Sequence, residues 1–177
     1  MLTAGHVCDN SMKVPLENEH YVFHSNSKIL VQNYEGKFYE AKIILSEQSS
    51  IKSGQHADLC SLSVSQNKNS KGLRLENKKP RRGEDVYYMG APMGIYHPPN
   101  VLIIKGVYSG KINETASLLT APAAPGSSGS TVLSYRNRIY GVLFAVHPSF
   151  PTASIVTNYE KTKNFLFRTK KKINSLQ

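Results

Sequence analysis

Apolar residues come in this chain as short bursts of Val, Ile, Leu and Tyr, mixed with Thr and Ser and interrupted by Gly or Pro. Bursts of that length, alternating in places with polar residues, suit strands with one buried face and are too brief for amphipathic helices. Residues 28–32 read as a strand, 35–37 as a turn and 38–45 as the returning strand of a hairpin. A polar stretch at 46–55 reads as a loop, and 57–64 then alternates as a half-buried strand does. Further strands are read at 85–90, 101–108, 117–120, 130–134, 139–146 and 153–156. Only 158–173 has a helical pattern, with Phe165, Leu166 and Ile173 as its apolar members. Residues 65–82, rich in Asn, Lys, Ser and Arg, hold the best linker candidate. No internal repeat is visible. Short strands at this spacing predict an all-β chain arranged as barrels or sandwiches.

A chain of 177 residues accommodates one ordinary domain, or two small barrels sharing an interface. The apolar fraction of 40% is far above that of a disordered chain. No apolar run reaches the roughly 18 residues of a membrane-spanning helix, so no membrane is expected as a partner. The formal net charge is +10, concentrated in Lys78-Lys79-Pro80-Arg81-Arg82 and in Arg168-Thr169-Lys170-Lys171-Lys172. Neither run is interleaved with the aromatics of a single-strand binding groove. Both therefore read as a solvated turn and a solvated tail, and nucleic acid is not the expected partner. Cys8 and Cys60 are too few for a disulfide framework, and no CxxC spacing offers a zinc site. They read as one bridge or as two buried thiols, which leaves the redox compartment open. The first residues have neither the charged start nor the apolar stretch of a signal peptide, and no compartment is assigned.

Three short motifs bear chemistry: Thr3-Ala4-Gly5-His6-Val7-Cys8, Ala57-Asp58-Leu59-Cys60-Ser61-Leu62, and Ala124-Pro125-Gly126-Ser127-Ser128-Gly129-Ser130. Each alone has a plain reading, as a surface histidine, a strand-edge charge and a flexible linker. Together, in this order, they supply a nucleophile, its base and the group that orients the base. A serine hydroxyl attacks poorly until a base within hydrogen-bond reach takes its proton. Imidazole suits that role because it exchanges protons close to neutral pH. A buried carboxylate then holds the imidazole tautomer and stabilises the imidazolium formed during attack. Small residues around the serine let the backbone turn tightly and aim N–H groups at the developing oxyanion, worth about 3 kcal/mol for one donor. Each cysteine follows the proposed histidine or aspartate by two positions. The two are therefore expected near one another once the motifs assemble, with no bond claimed.

These residues resemble the chymotrypsin-like serine proteases, nearest the HtrA/Deg-type bacterial and phage trypsin-like peptidases. Thr3-Ala4-Gly5-His6 is similar to that family's T-A-x-H motif, Ala57-Asp58-Leu59 to its D-[IL] motif, and Pro125-Gly126-Ser127-Ser128-Gly129-Ser130 to its P-G-[ND]-S-G-G motif. Gly90-Ala91-Pro92-Met93-Gly94 resembles the G-x-P-x-G turn of the Deg-type proteins. Gly106-Val107-Tyr108-Ser109-Gly110 resembles a strand end of theirs, and Tyr140-Gly141-Val142-Leu143 the strand beside the substrate. The likeness runs from residue 3 to about residue 167. It implies a chymotrypsin-like double β-barrel with the first barrel incomplete and a short C-terminal helix. Residues 1–75 would form the partial first barrel, 76–157 the second, and 158–177 the helix and basic tail. It also implies a serine endopeptidase acting on peptide or protein through an acyl-enzyme intermediate. His6, Asp58 and Ser128 would be catalytic, with the backbone N–H groups of Gly126 and Ser128 as the oxyanion hole, and with no metal or cofactor.

The chain departs from the family pattern in three places. Several strands precede the histidine motif in the family, and only Met1 to Gly5 precede it here. The expectation is a truncated chain, an internal start, or strands supplied by a partner. Ser127 and Ser130 stand where the family prefers Asn or Asp and Gly, and Ser130 puts a Cβ where glycine permits unusual dihedrals. Before the serine, Thr120-Ala121-Pro122-Ala123-Ala124 holds no acid, so a small or apolar P1 side chain is expected rather than Lys or Arg. His97 and His147 read as surface residues. The alternative reading is an inactive protease fold used as a binding scaffold.

Overall fold

The computed structural model describes residues 1–9, 11–16, 19–24, 28–33, 35–48, 57–64 and 72–175, with 11–16 and 19–24 described in their backbone only. The first half holds β1 (Leu2–Thr3), β2 (Ser11–Leu16), β3 (Glu19–His24), β4 (Ile29–Gln32), β5 (Phe38–Glu47) and β6 (Leu59–Val64). The second half holds β7 (Asp85–Gly90), β8 (Leu102–Lys111), β9 (Ala116–Thr120), β10 (Thr131–Leu133), β11 (Ile139–His147) and β12 (Phe150–Thr157). One α-helix among the described residues, α1 (Tyr159–Asn174), follows. Strands β7 to β12 close into an antiparallel barrel in the order β10-β11-β12-β9-β8-β7. The order β1-β6-β5-β4 makes an open sheet, and β2 pairs with β3 as a separate hairpin. This is the all-β, chymotrypsin-like arrangement of one complete and one incomplete barrel with a short terminal helix.

Two strand assignments gain length from pairing that composition hides. Ser46 and Glu47, polar enough to read as loop, still face Cys60 and Leu59 across the sheet, so β5 continues through them. Residues 150–152 likewise join β12. The remainder of that loop, 49–55, and positions 65–71 of the linker candidate lie outside the described residues. The end of the linker is drawn onto the barrel: the Ile139 N–H donates to the Arg74 carbonyl and the Glu76 N–H to that of Ile139. The β2–β3 hairpin escaped the sequence reading. Pro15 interrupts its first strand, and a proline inside a run argues against a strand.

Three apolar clusters support the architecture. Val86, Tyr88, Leu119, Val132, Leu143 and Val156 fill the closed barrel. Ala41, Leu62 and the two cysteines pack under the open sheet. Ala4, Ala57 and Leu59 from the first half meet Val142 of β11 and Phe165 of α1 in the third, which joins the two halves. The helix begins at an Asn158 cap whose side chain accepts the Glu160 N–H. It is anchored at its far end by an Arg168–Glu47 ion pair and a 3.2 Å bond from Thr169 Oγ1 to Ser61 Oγ.

Candidate active site

His6 sits on a short 3-10 turn, Gly5–Cys8, immediately after β1. Asp58 is the central residue of a γ-turn, closed by a 3.0 Å bond from the Leu59 N–H to the Ala57 carbonyl, just before β6. Pairing of β1 with β6, Thr3 opposite Cys60, brings the two together. Both carboxylate oxygens of Asp58 then serve His6: Oδ1 accepts the backbone N–H at 2.8 Å and Oδ2 accepts Nδ1–H at 2.5 Å. That bond assigns the proton to Nδ1 and leaves Nε2 as the basic nitrogen. The Asp58 side chain is 7% exposed and that of His6 46%, so a buried carboxylate supports an imidazole open to the cleft. Gly5 has no room for a side chain, because a Cβ there would lie 2.0 Å from the Glu47 carbonyl oxygen and 2.6 Å from Asp58 Oδ1.

Cys8 and Cys60, expected only as neighbours, form a disulfide. It ties the turn carrying His6 to the strand that follows Asp58. Both residues are almost fully buried.

Ser128 lies in a turn built by its neighbours. The Ser127 N–H donates to the Ala124 carbonyl at 2.9 Å, and Ser127 Oγ accepts the Ala124 N–H at 3.2 Å. The left-handed backbone falls on Gly126 (φ +92°) and Gly129 (φ +89°), where no Cβ opposes it. Ser130 is outside that region, so its departure from glycine costs the turn nothing. Its hydroxyl fills space left by Gly90, where a Cβ would come within 2.4 Å.

Sequence reasoning missed one contributor to this turn. The Met93 N–H donates to the Pro125 carbonyl at 2.6 Å, from a residue held at φ +55° inside the Gly90–Gly94 segment. In a trans peptide the C=O and the following N–H point in opposite directions. Holding the Pro125 carbonyl against Met93 therefore turns the Gly126 N–H away from Met93. Among the described residues neither the Gly126 nor the Ser128 N–H has an intramolecular acceptor. The sequence trace of this support is the Gly90-Ala91-Pro92-Met93-Gly94 segment, legible as a family-like turn but not as a partner of the serine turn.

The serine turn abuts the histidine turn. A Cβ on Gly129 would be 2.1 Å from Thr3 Oγ1 and 3.5 Å from the Ala4 nitrogen, so Ser128 and His6 come from segments in contact. Their side chains are not hydrogen-bonded: the Ser128 hydroxyl donates instead to the Phe144 carbonyl at 3.5 Å. Such bonds are commonly long or misaligned in sites without substrate. Beyond Leu143, β11 pairs with β12 on one side only, leaving the other edge of Phe144, Ala145 and Val146 without a strand among the described residues. Ala121 and Ala123 donate their backbone N–H groups to the Thr152 and Pro151 carbonyls, and both side chains are buried in the closed barrel. His97 and His147 are exposed, as the sequence suggested.

A family model for the trypsin-like peptidase domain matches residues 1–142, four-fifths of the chain. The chain belongs to the trypsin-like peptidase domain family. Solved serine proteases share its fold at low identity. One is the serine endoprotease from Yersinia pestis, with a TM-score of 0.69 and 17% identity over 95% of this chain and 52% of that one. Another is the active form of the Rv3671c protease from M. tuberculosis, with a TM-score of 0.66 and 16% identity over 92% of this chain and 66% of that one. A search of the curated proteins gives no match. Within this trypsin-like peptidase domain, the serine turn packs against Thr3 and Ala4 just before the histidine turn, and Ala4 also joins the cluster around Phe165.

Proposed function

We propose that this trypsin-like peptidase domain is a serine endopeptidase in which Ser128, His6 and Asp58 form the catalytic triad. The observation that carries the reading is the buried Asp58 carboxylate with both oxygens committed to His6, beside a serine turn packed on the same segment. In this mechanism a rotation of the Ser128 side chain from the Phe144 carbonyl toward His6 Nε2 precedes attack. Ser128 Oγ adds to the peptide carbonyl carbon while its proton passes to Nε2. The resulting oxyanion is met by the free N–H groups of Gly126 and Ser128. Collapse breaks the C–N bond, the leaving amine takes the proton from His6, and an acyl-enzyme remains. Water, deprotonated by His6, then hydrolyses the ester and restores Ser128. No metal or cofactor enters these steps. The unpaired edge at Phe144–Val146 offers backbone groups to an extended substrate. Ala121 to Ala124, without an acid, favours a small or apolar P1 side chain.

The second reading, an inactive scaffold, is favoured by one observation: the Ser128 hydroxyl is bonded to Phe144 rather than to His6. Fluorophosphonate labelling separates the two. The endopeptidase reading expects an adduct on Ser128, located by mass spectrometry and absent in Ser128→Ala. A folded chain that takes no label would leave the scaffold.

A further inference from the structure

The first basic run, read from the sequence as a solvated turn, forms one wall of a cavity of about 450 Å³. Lys78, Lys79 and Arg81 face Tyr135 and Arg136, which belong to the turn between β10 and β11, and Glu76, Glu84 and Tyr140 form its other lining. The two walls are fastened together. Ser134 Oγ, buried at the root of that turn, donates to Glu76 Oε2 at 2.8 Å and also accepts the Arg136 N–H. Arg138 Nη1 donates to Asn77 Oδ1 at 3.3 Å. Asn137, at φ +55°, sets the turn's return.

Cations outnumber anions in this lining, with Lys78, Lys79, Arg81 and Arg136 against Glu76 and Glu84. Glu76 uses Oε1 for the Asn77 N–H and Oε2 for Ser134. Glu84 uses Oε1 for the Tyr140 hydroxyl and Oε2 for the Arg81 N–H. All four carboxylate oxygens thus accept from neutral donors and none is bonded to a cation, although Arg138 and Arg136 lie close enough to act on Glu76 through space. Among the described residues none of Lys78, Lys79, Arg81 and Arg136 has a carboxylate within ion-pairing distance. Elsewhere lysines find one, as Lys105 does with Asp85 at 2.7 Å. Arg136 lies 5.0 Å from the centroid of the exposed Tyr135 ring, which holds its guanidinium over the rim. An adjoining hollow shares Arg136 and adds Arg74 and Arg138.

We propose that this cavity binds a triphosphate group, inorganic or carried by a nucleoside. Forked guanidiniums and mobile ammoniums suit phosphate oxygens, and the volume suits a small ligand rather than a polymer. Tyr135 offers a ring on which a base would stack.

Calorimetric titration of the full chain with inorganic tripolyphosphate tests it, alongside the double variant Lys79→Ala/Arg136→Ala. The control is Lys171→Ala/Lys172→Ala, which removes the same charge from the exposed end of α1. The expected result is saturable binding that weakens as salt rises. The cavity pair should lose about tenfold in affinity or more, and the helix pair less than about twofold. All these side chains are exposed, so both variants should keep the parent thermal midpoint. A nucleoside triphosphate binding more tightly, with the gain lost in Tyr135→Ala, would support the site with a nucleoside as its source; equal affinities would support it with the phosphate chain alone. Equal losses in the two pairs, no loss in either, or no binding by the parent chain would overturn it.

Discussion

Among single residues, Gly5 says much about the site although it has no side-chain chemistry of its own. Gly5 occupies the point where the Glu47 carbonyl and Asp58 Oδ1 converge. Gly5→Ala must push one of them away, and the one free to move is the carboxylate that holds His6. The expected outcome is a fall of about tenfold or more in fluorophosphonate labelling rate, with a stability loss of about 1–3 kcal/mol from the overpacked contact. Equal labelling of parent and variant would detach Asp58 from the mechanism. Glu76 is 7% exposed, and its carboxyl is held below the ordinary range chiefly by the Asn77 N–H, against an opposing effect of burial, with Ser134 adding to the lowering. A depressed carboxylate stabilises the fold above the ordinary value of 4.5, and that contribution is lost as pH falls through the folded value. Glu76→Gln should therefore cost about 2 kcal/mol near neutrality and progressively less below pH 4.5, as read by denaturant melts across pH.

At the scale of elements, the 3-10 turn Gly5–Cys8 is held to β6 twice, by the Asp58 carboxylate and by the Cys8–Cys60 disulfide across 52 residues. The covalent link restricts the unfolded chain and stabilises the fold by about 2–4 kcal/mol. Replacing both cysteines with Ala should lower the denaturation midpoint accordingly and leave His6 on the same turn, because its bonds to Asp58 remain. A labelling rate reduced far more than the folded fraction would instead make the disulfide part of the site's alignment. The spacing of Cys8 and Cys60, each two residues after a motif member, was enough to expect proximity. Whether a bond joins them depends on how β1 registers against β6, which pairs Thr3 with Cys60 and is invisible in either segment alone. The β2–β3 hairpin shows the same limit: Pro15 argues locally against a strand that the pairing with His20 nonetheless includes.

Over the whole molecule, the open sheet and the closed barrel are joined by the cluster of Ala4, Ala57, Leu59, Val142 and Phe165. Three of those residues lie one or two positions from His6 or Asp58, or in the strand that follows. A helix at the end of the chain thus backs the site from behind. Phe165 is fully buried, and Phe165→Ala should cost about 3–5 kcal/mol. Because the cavity would open between the halves, labelling of Ser128 should fall further than stability alone explains under conditions where the chain stays folded. A thermal melt and a labelling rate on the same sample would separate the two effects. The sequence by itself determined the strand texture, the order of the His, Asp and Ser motifs and the positions of the turns, since these depend on residue type and short-range spacing. Tertiary structure alone decided what those pieces meet. It turned the Pro125 carbonyl onto the Met93 N–H, left room at Gly90 for Ser130, and set Lys79 across from Arg136. Each of these depends on contacts between distant segments, and local pattern carries no record of them.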